Sequence, residues 1–178
     1  MIPNRRPFRL FLSGFLASGK TTVGEVLASD LGLPFLDLDQ TLVEREGMTI
    51  LQILAVRGEP YFRLREHGLL ESLRASGSLV VATGSGTPAH PDNLALIGAL
   101  GEMVFLNPPW ETIAGRLQGK QGVLPPGLPV EALYRIYLDR LPYYRQARWV
   151  LTPSAGEIPA AQALRIRMLL KDVRPCAI

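Results

Sequence analysis

Residues 14–21 read Gly-Phe-Leu-Ala-Ser-Gly-Lys-Thr, and no other stretch restricts the architecture of this chain so tightly. The spacing is G-x-x-x-x-G-K-[ST], which works only between a strand and the start of a helix. The glycines admit torsions that let successive backbone N–H groups turn inward onto an anion. Lys20 brings a positive charge to the same place, and Thr21 a hydroxyl suited to Mg²⁺. Residues 9–12 before the motif read as a buried strand. After it, Val23, Val26, Leu27 and Leu31 recur at helical spacing, with Gly32 placed to end the helix. The cradle predicted for a nucleoside triphosphate is Gly14, Ala17, Ser18, Gly19, Lys20, Thr21 and Thr22.

The rest of the chain alternates in the same way. Strands are expected at 8–12, 34–37, 79–82, 103–106 and 149–151. Helices are expected at 20–31, 41–55 with a break near Gly47, 59–75, 91–100, 109–117, 130–147 with an interruption near Pro142, and 158–171. Such alternation implies one α/β domain over residues 1–178, with a five-stranded parallel sheet between helical layers. Residues 118–129 are rich in Gly, Gln and Pro, lack periodicity and read as a mobile loop. Ligands of such sheets bind beyond the carboxyl ends of the strands.

At those ends the polar residues gather. The second strand closes with Asp37 and Asp39, which β alternation would place on one side. A carboxylate near Mg²⁺ and another near an acceptor hydroxyl suit phosphoryl transfer. Asp39 would equally serve as a helix N-cap. Gly84, Ser85 and Gly86 follow the third strand, where backbone can approach a ligand closely. Arg63 and Glu66 share a helix face, and Arg140 precedes Leu-Pro-Tyr-Tyr.

Several classes are excluded or disfavoured. One cysteine forbids an intrachain disulfide, and two histidines give little support to a His-based metal site. A net charge of +3 is too weak to argue for nucleic acid, and Arg5, Arg6 and Arg9 read as a solvated flank. No run reaches the roughly 18 apolar residues of a membrane span. The expectation is a cytoplasmic monomer acting on a small molecule.

In this order, the motifs resemble those of shikimate kinases: the phosphate loop, Asp37-Leu38-Asp39, Phe62-Arg63-Leu64-Arg65-Glu66, Gly84-Ser85-Gly86, a lid over 118–129 and Arg140-Leu141-Pro142-Tyr143-Tyr144. The resemblance implies a P-loop kinase fold that moves the γ-phosphoryl of ATP to the 3-hydroxyl of shikimate with Mg²⁺. It implies that Lys20 stabilises the transferring group, Thr21 and Asp37 serve the metal, and Asp39 holds the acceptor hydroxyls and takes the proton. Arg63 and Arg140 would grip the carboxylate, with Glu66 orienting Arg63. Gly84, Ser85 and Gly86 would line that pocket. Arg116 and Pro153 would border the adenine. Two departures stand out. The lid lacks the family's arginine and offers only Lys120, whose point charge does not reproduce a guanidinium fork. Ser85 replaces the middle glycine. A same-fold kinase of another polyhydroxy acid, or a nucleotide-binding module with little catalysis, are the other readings.

Overall fold

In the computed structural model of this protein, residues 7–118 and 129–172 are described. Short apolar runs bounded by turn residues form five strands: β1 (Arg9–Ser13), β2 (Phe35–Asp37), β3 (Leu79–Ala82), β4 (Glu102–Leu106) and β5 (Trp149–Leu151). All pairings are parallel, and the order across the sheet is β2-β3-β1-β4-β5. The connecting helices among the described residues are α1 (Lys20–Leu31), α2 (Leu38–Glu46), α3 (Ile50–Arg57), α4 (Glu59–Ser72), α5 (Pro91–Leu100), α6 (Trp110–Gln118), α7 (Val130–Tyr144) and α8 (Pro159–Leu169).

Alternation along β1 divides the core. Leu10 and Leu12 pack with α1 and α8 on one face, and Phe11 packs with α2 to α5 on the other. A third apolar group joins Phe15 and Phe105 to α6 and α7. The centre of the sheet is therefore buried on both faces, as parallel sheets require. The β1–β3 register pairs Leu12 with Ala82, so the loops after these strands emerge side by side.

The break expected near Gly47 parts the 41–55 segment into two helices, with Gly47 at φ 64°, and α3 opens with a Thr49–Gln52 capping box. Other expectations change. The first helix of that segment begins earlier, at Leu38, because the Asp37 carboxylate accepts from the Gln40 N–H at 3.1 Å and nucleates the turn. Asp37, not Asp39, is thus the N-cap, and Asp39 lies in the first helical turn rather than on a strand. Pro142 does not break α7, which runs through it to Tyr144. Arg9 is buried rather than solvated: its guanidinium donates to Ser76 Oγ and to the carbonyls of Arg74, Ser76 and Leu100. Those acceptors lie 65 or more residues away in sequence, and a buried guanidinium needs such partners. No described helix is long and apolar enough to cross a membrane.

A Cβ on Gly101 would fall 2.1 Å from the Arg9 carbonyl oxygen, so the backbone of β1 and the start of β4 touch only because this residue is glycine. The variant Gly101→Ala is expected to lose about 2–3 kcal/mol. Gly68 lies inside α4 with open space where a Cβ would go. Gly68→Ala is expected to gain about 0.5–1 kcal/mol from helix propensity. Urea midpoints at equal slope measure both; a wild-type midpoint for Gly101→Ala would contradict the close approach.

Candidate active site

The phosphate loop grows out of β1 and turns into α1. Gly14 (φ 146°) and Gly19 (φ 101°) take torsions that favour glycine, and Ala17 (φ 57°) enters the left-handed region without that freedom. A Cβ on Gly14 would meet Leu106 O at 2.5 Å, so the loop lies flat against the end of β4. Gly19 is the N-cap of α1, and no side chain caps that helix. Its first turn therefore looks outward for an acceptor, which an anion supplies. Lys20 Nζ donates to Gly14 O and Phe15 O at 3.0 and 2.9 Å, which holds the ammonium over the loop.

Beside this loop lies a cavity of about 330 Å³, lined in part by Ala17, Gly19, Lys20, Thr21, Thr22 and Arg116. Arg116 Nη1 donates to Ala17 O at 3.0 Å, which holds its guanidinium at the cavity wall. Pro153 is buried and does not line the cavity; Glu157, Pro159 and Gln162 do. The turn after β5 carries the chain past Pro153 and brings Glu157 to the wall, and α8 then adds Pro159 and Gln162. Gln162 is 3% exposed, donates through Nε2 to Glu157 O, and leaves Oε1 without a partner. Ser18 Oγ in the phosphate loop is likewise buried and unpartnered. The cations Lys20 and Arg116 on this concave wall fit an anionic occupant.

Thr21 Oγ1 donates to Asp37 Oδ2 at 2.6 Å, so the hydroxyl and carboxylate named for Mg²⁺ are in contact. No group of three or more His, Cys, Asp and Glu side chains converges among the described residues. The pair nonetheless fits Mg²⁺, which takes one or two protein oxygens and completes its shell with phosphate and water.

A second polar cluster forms around the loop after β3. A Cβ on Gly84 would fall 2.6 Å from Asp39 Oδ1 and 3.0 Å from Glu66 Oε1. One on Gly86 would fall 2.8 Å from Arg63 Nη1. The two glycines thus admit two carboxylates and a guanidinium to one spot. Ser85 between them accepts from Arg140 Nη1 at 3.0 Å, which brings α7 to the same loop. Glu66, 1% exposed, is no surface partner for Arg63: it accepts from Arg63 Nη1 at 3.0 Å, from Thr87 Oγ1 and from Asn93 Nδ2 at 3.4 Å. Asn93 Oδ1 faces His67 Nδ1 at 2.7 Å. Thr87 and Asn93 were absent from the sequence-based site; their only local signal is polarity within a buried stretch just after the Gly-Ser-Gly turn. Lys120 lies outside the described residues.

Asp39 keeps a partial opening, but burial is the main influence on its carboxyl and pushes it up to about 6. Lys20 pulls it down, Asp37 and Glu66 push it up, and Arg63 pulls it down. The folded value exceeds the ordinary 3.8, so folding favours the protonated form. The group costs nothing below that ordinary value, and the cost grows between 3.8 and about 6 and persists above. A shift of this size corresponds to about 3 kcal/mol at pH 8. Asp39→Asn is therefore expected to raise the Tm of the protein without Mg²⁺ or nucleotide at pH 8 and not at pH 4. An equal change at both pH values would contradict this origin.

A model of the shikimate kinase family matches residues 16–171. A shikimate kinase of Halorhodospira halophila is 35% identical over 164 residues, covering 91% of this chain and 93% of that protein. One from Chloroherpeton thalassium is 42% identical over 117 residues, 66% of this chain and 63% of the relative's length. Among solved structures, the shikimate kinase of Acinetobacter baumannii in complex with shikimate superposes with a TM-score of 0.82 at 32% identity, covering 94% of this chain and 93% of that one. Phosphate loop, paired aspartates and the crowded glycine turn thus stand in a sequence and fold shared along nearly the whole chain, and this chain belongs to the shikimate kinase family.

Proposed function

We propose that this protein transfers the γ-phosphoryl group of ATP to the 3-hydroxyl of shikimate, and that it does so as a single chain in the cytoplasm. The observation that carries the reading is the meeting of Asp39, Arg63 and Arg140 around the Gly84–Ser85–Gly86 turn, one strand away from the phosphate loop. A small acid bearing several hydroxyls needs that set: an acceptor for the hydroxyls and a guanidinium fork for the carboxylate.

The mechanism follows from the placement. Nucleotide phosphates lie on the first turn of α1, with Lys20 turning from its loop carbonyls to the transferring group. Arg116 packs on the base at the open end of the cavity. Thr21 and Asp37 would hold Mg²⁺, which would supply positive charge to offset that developing on the phosphates. Arg63, held by Glu66, and Arg140 orient the acid so that its hydroxyl faces Asp39. Asp39 accepts the hydroxyl proton as the oxygen bonds to phosphorus and the bond to the ADP oxygen breaks. A carboxyl near 6 is ionised at neutral pH yet basic enough to share that proton.

Release of ADP with Mg·ATP, compared across shikimate, quinate and gluconate, tests the assignment. Strong stimulation by shikimate alone is expected; equal rates with all three acceptors would overturn it. Lys20→Ala is expected to lose on the order of a thousandfold in kcat with an unchanged Tm. Retained turnover would remove Lys20 from the phosphate site.

A further inference from the structure

The two arginines at the acceptor end are held in different ways. Arg63 donates to Glu66 Oε2 at 3.0 Å and to Glu59 Oε1 at 3.0 Å, so carboxylates offset much of its charge. Arg140 has no carboxylate partner among the described residues. Its Nη1 donates to Ser85 Oγ at 3.0 Å, its guanidinium carbon lies 5.8 Å from the centre of the Phe15 ring, and the guanidinium also faces the Tyr144 hydroxyl. All three partners are neutral. Arg140 is partly buried, so its charge is partly desolvated and still uncompensated.

Ser85 is itself fixed. Its carbonyl accepts from the hydroxyl of Tyr144, a wholly buried side chain one helical turn beyond Arg140 on α7. One face of α7 therefore grips residue 85 twice, once through its backbone and once through its side chain. The backbone grip is open to any residue at 85, including glycine. The grip on Arg140 needs the serine hydroxyl.

We propose that Ser85 is a positioning residue that aims Arg140 at the acceptor's carboxylate without neutralising it. A glycine here would leave the guanidinium only the Tyr144 hydroxyl and the Phe15 ring to hold it, and binding would have to order it further. An acidic residue would order it and cancel the charge that attracts the acid. A hydroxyl orders it and leaves the charge intact. The inference rests on the proposed reading that the acceptor is a carboxylic acid.

The test is steady-state kinetics on full-length Ser85→Ala, Ser85→Thr, Ser85→Asp, Arg140→Ala and the Ser85→Ala/Arg140→Ala double variant. Ser85→Ala is expected to raise KM for shikimate about five- to tenfold, the worth of one hydrogen bond to a charged group. Its kcat, KM for ATP and Tm should stay near wild type, and Ser85→Thr should recover most of the loss. Ser85→Asp should raise KM for shikimate on the order of a hundredfold by pairing with Arg140. The double variant should be no worse than Arg140→Ala, because the serine acts through the arginine. An unchanged KM in Ser85→Ala, a failure of Ser85→Thr to recover it, or a Ser85→Ala cost that persists in full without Arg140 would each overturn the inference alone. A wild-type enzyme without shikimate-dependent turnover would overturn the functional reading and the inference together.

Discussion

The parallel register of β1 against β3 governs everything at the carboxyl edge of the sheet. Leu12 pairs with Ala82, and both the N–H and hydroxyl of Thr83 donate to Leu12 O, at 3.0 and 3.1 Å. The phosphate loop leaves one of these strands and the Gly-Ser-Gly turn leaves the other. The two loops are thereby set side by side by backbone hydrogen bonds, before their own side chains take part. The buried, two-faced sheet resists change there, since a slip by one residue would exchange Leu12 and Phe11 between core faces.

On that frame the Gly84–Ser85–Gly86 turn works through missing atoms. Gly84 and Gly86 leave room for Asp39, Glu66 and Arg63 to approach within distances that a Cβ would forbid. The resulting cluster is electrostatically uneven. Glu66 is satisfied by Arg63, Thr87 and Asn93 and serves as an anchor. Asp39 is ionised only at a cost, with its carboxyl raised by burial and by neighbouring acids. Arg140 carries a charge that no described carboxylate offsets. A base that is uncomfortable as an anion and a cation that lacks one are both resolved by a bound polyhydroxy acid, so the instability of the empty site and its affinity share one cause.

Much of this was legible in residue order. The G-x-x-x-x-G-K-T spacing needs a strand, a turn and a helix, and α1 runs over Lys20–Leu31 as periodicity implies. Strands β3 and β5 and helix α5 also stand where composition puts them. The alternation of strands and helices implied the parallel sheet, and the order of short motifs carried the resemblance to shikimate kinases. These features are local: each depends on torsional freedom, side-chain period or capping within a few residues.

Other features escaped because their physics is not local. Asp37 and Asp39 looked alike in the sequence, yet the hydrogen bond from Gln40 made one a cap and left the other in the helix facing Gly84. Arg9 read as solvated, but its acceptors come from two segments far along the chain. Thr87 and Asn93 acquired a role only when α4 carried Glu66 against the turn after β3, and Pro159 rather than Pro153 reached the cavity through the path of the turn before α8. Chain order settles which residues can form a strand, a phosphate cradle or a helix start, because those are matters of neighbouring torsions and periods. Which carboxylate is buried, which arginine is neutralised and which polar residue closes the network are matters of desolvation and distance, and those exist only once the sheet has brought its loops together.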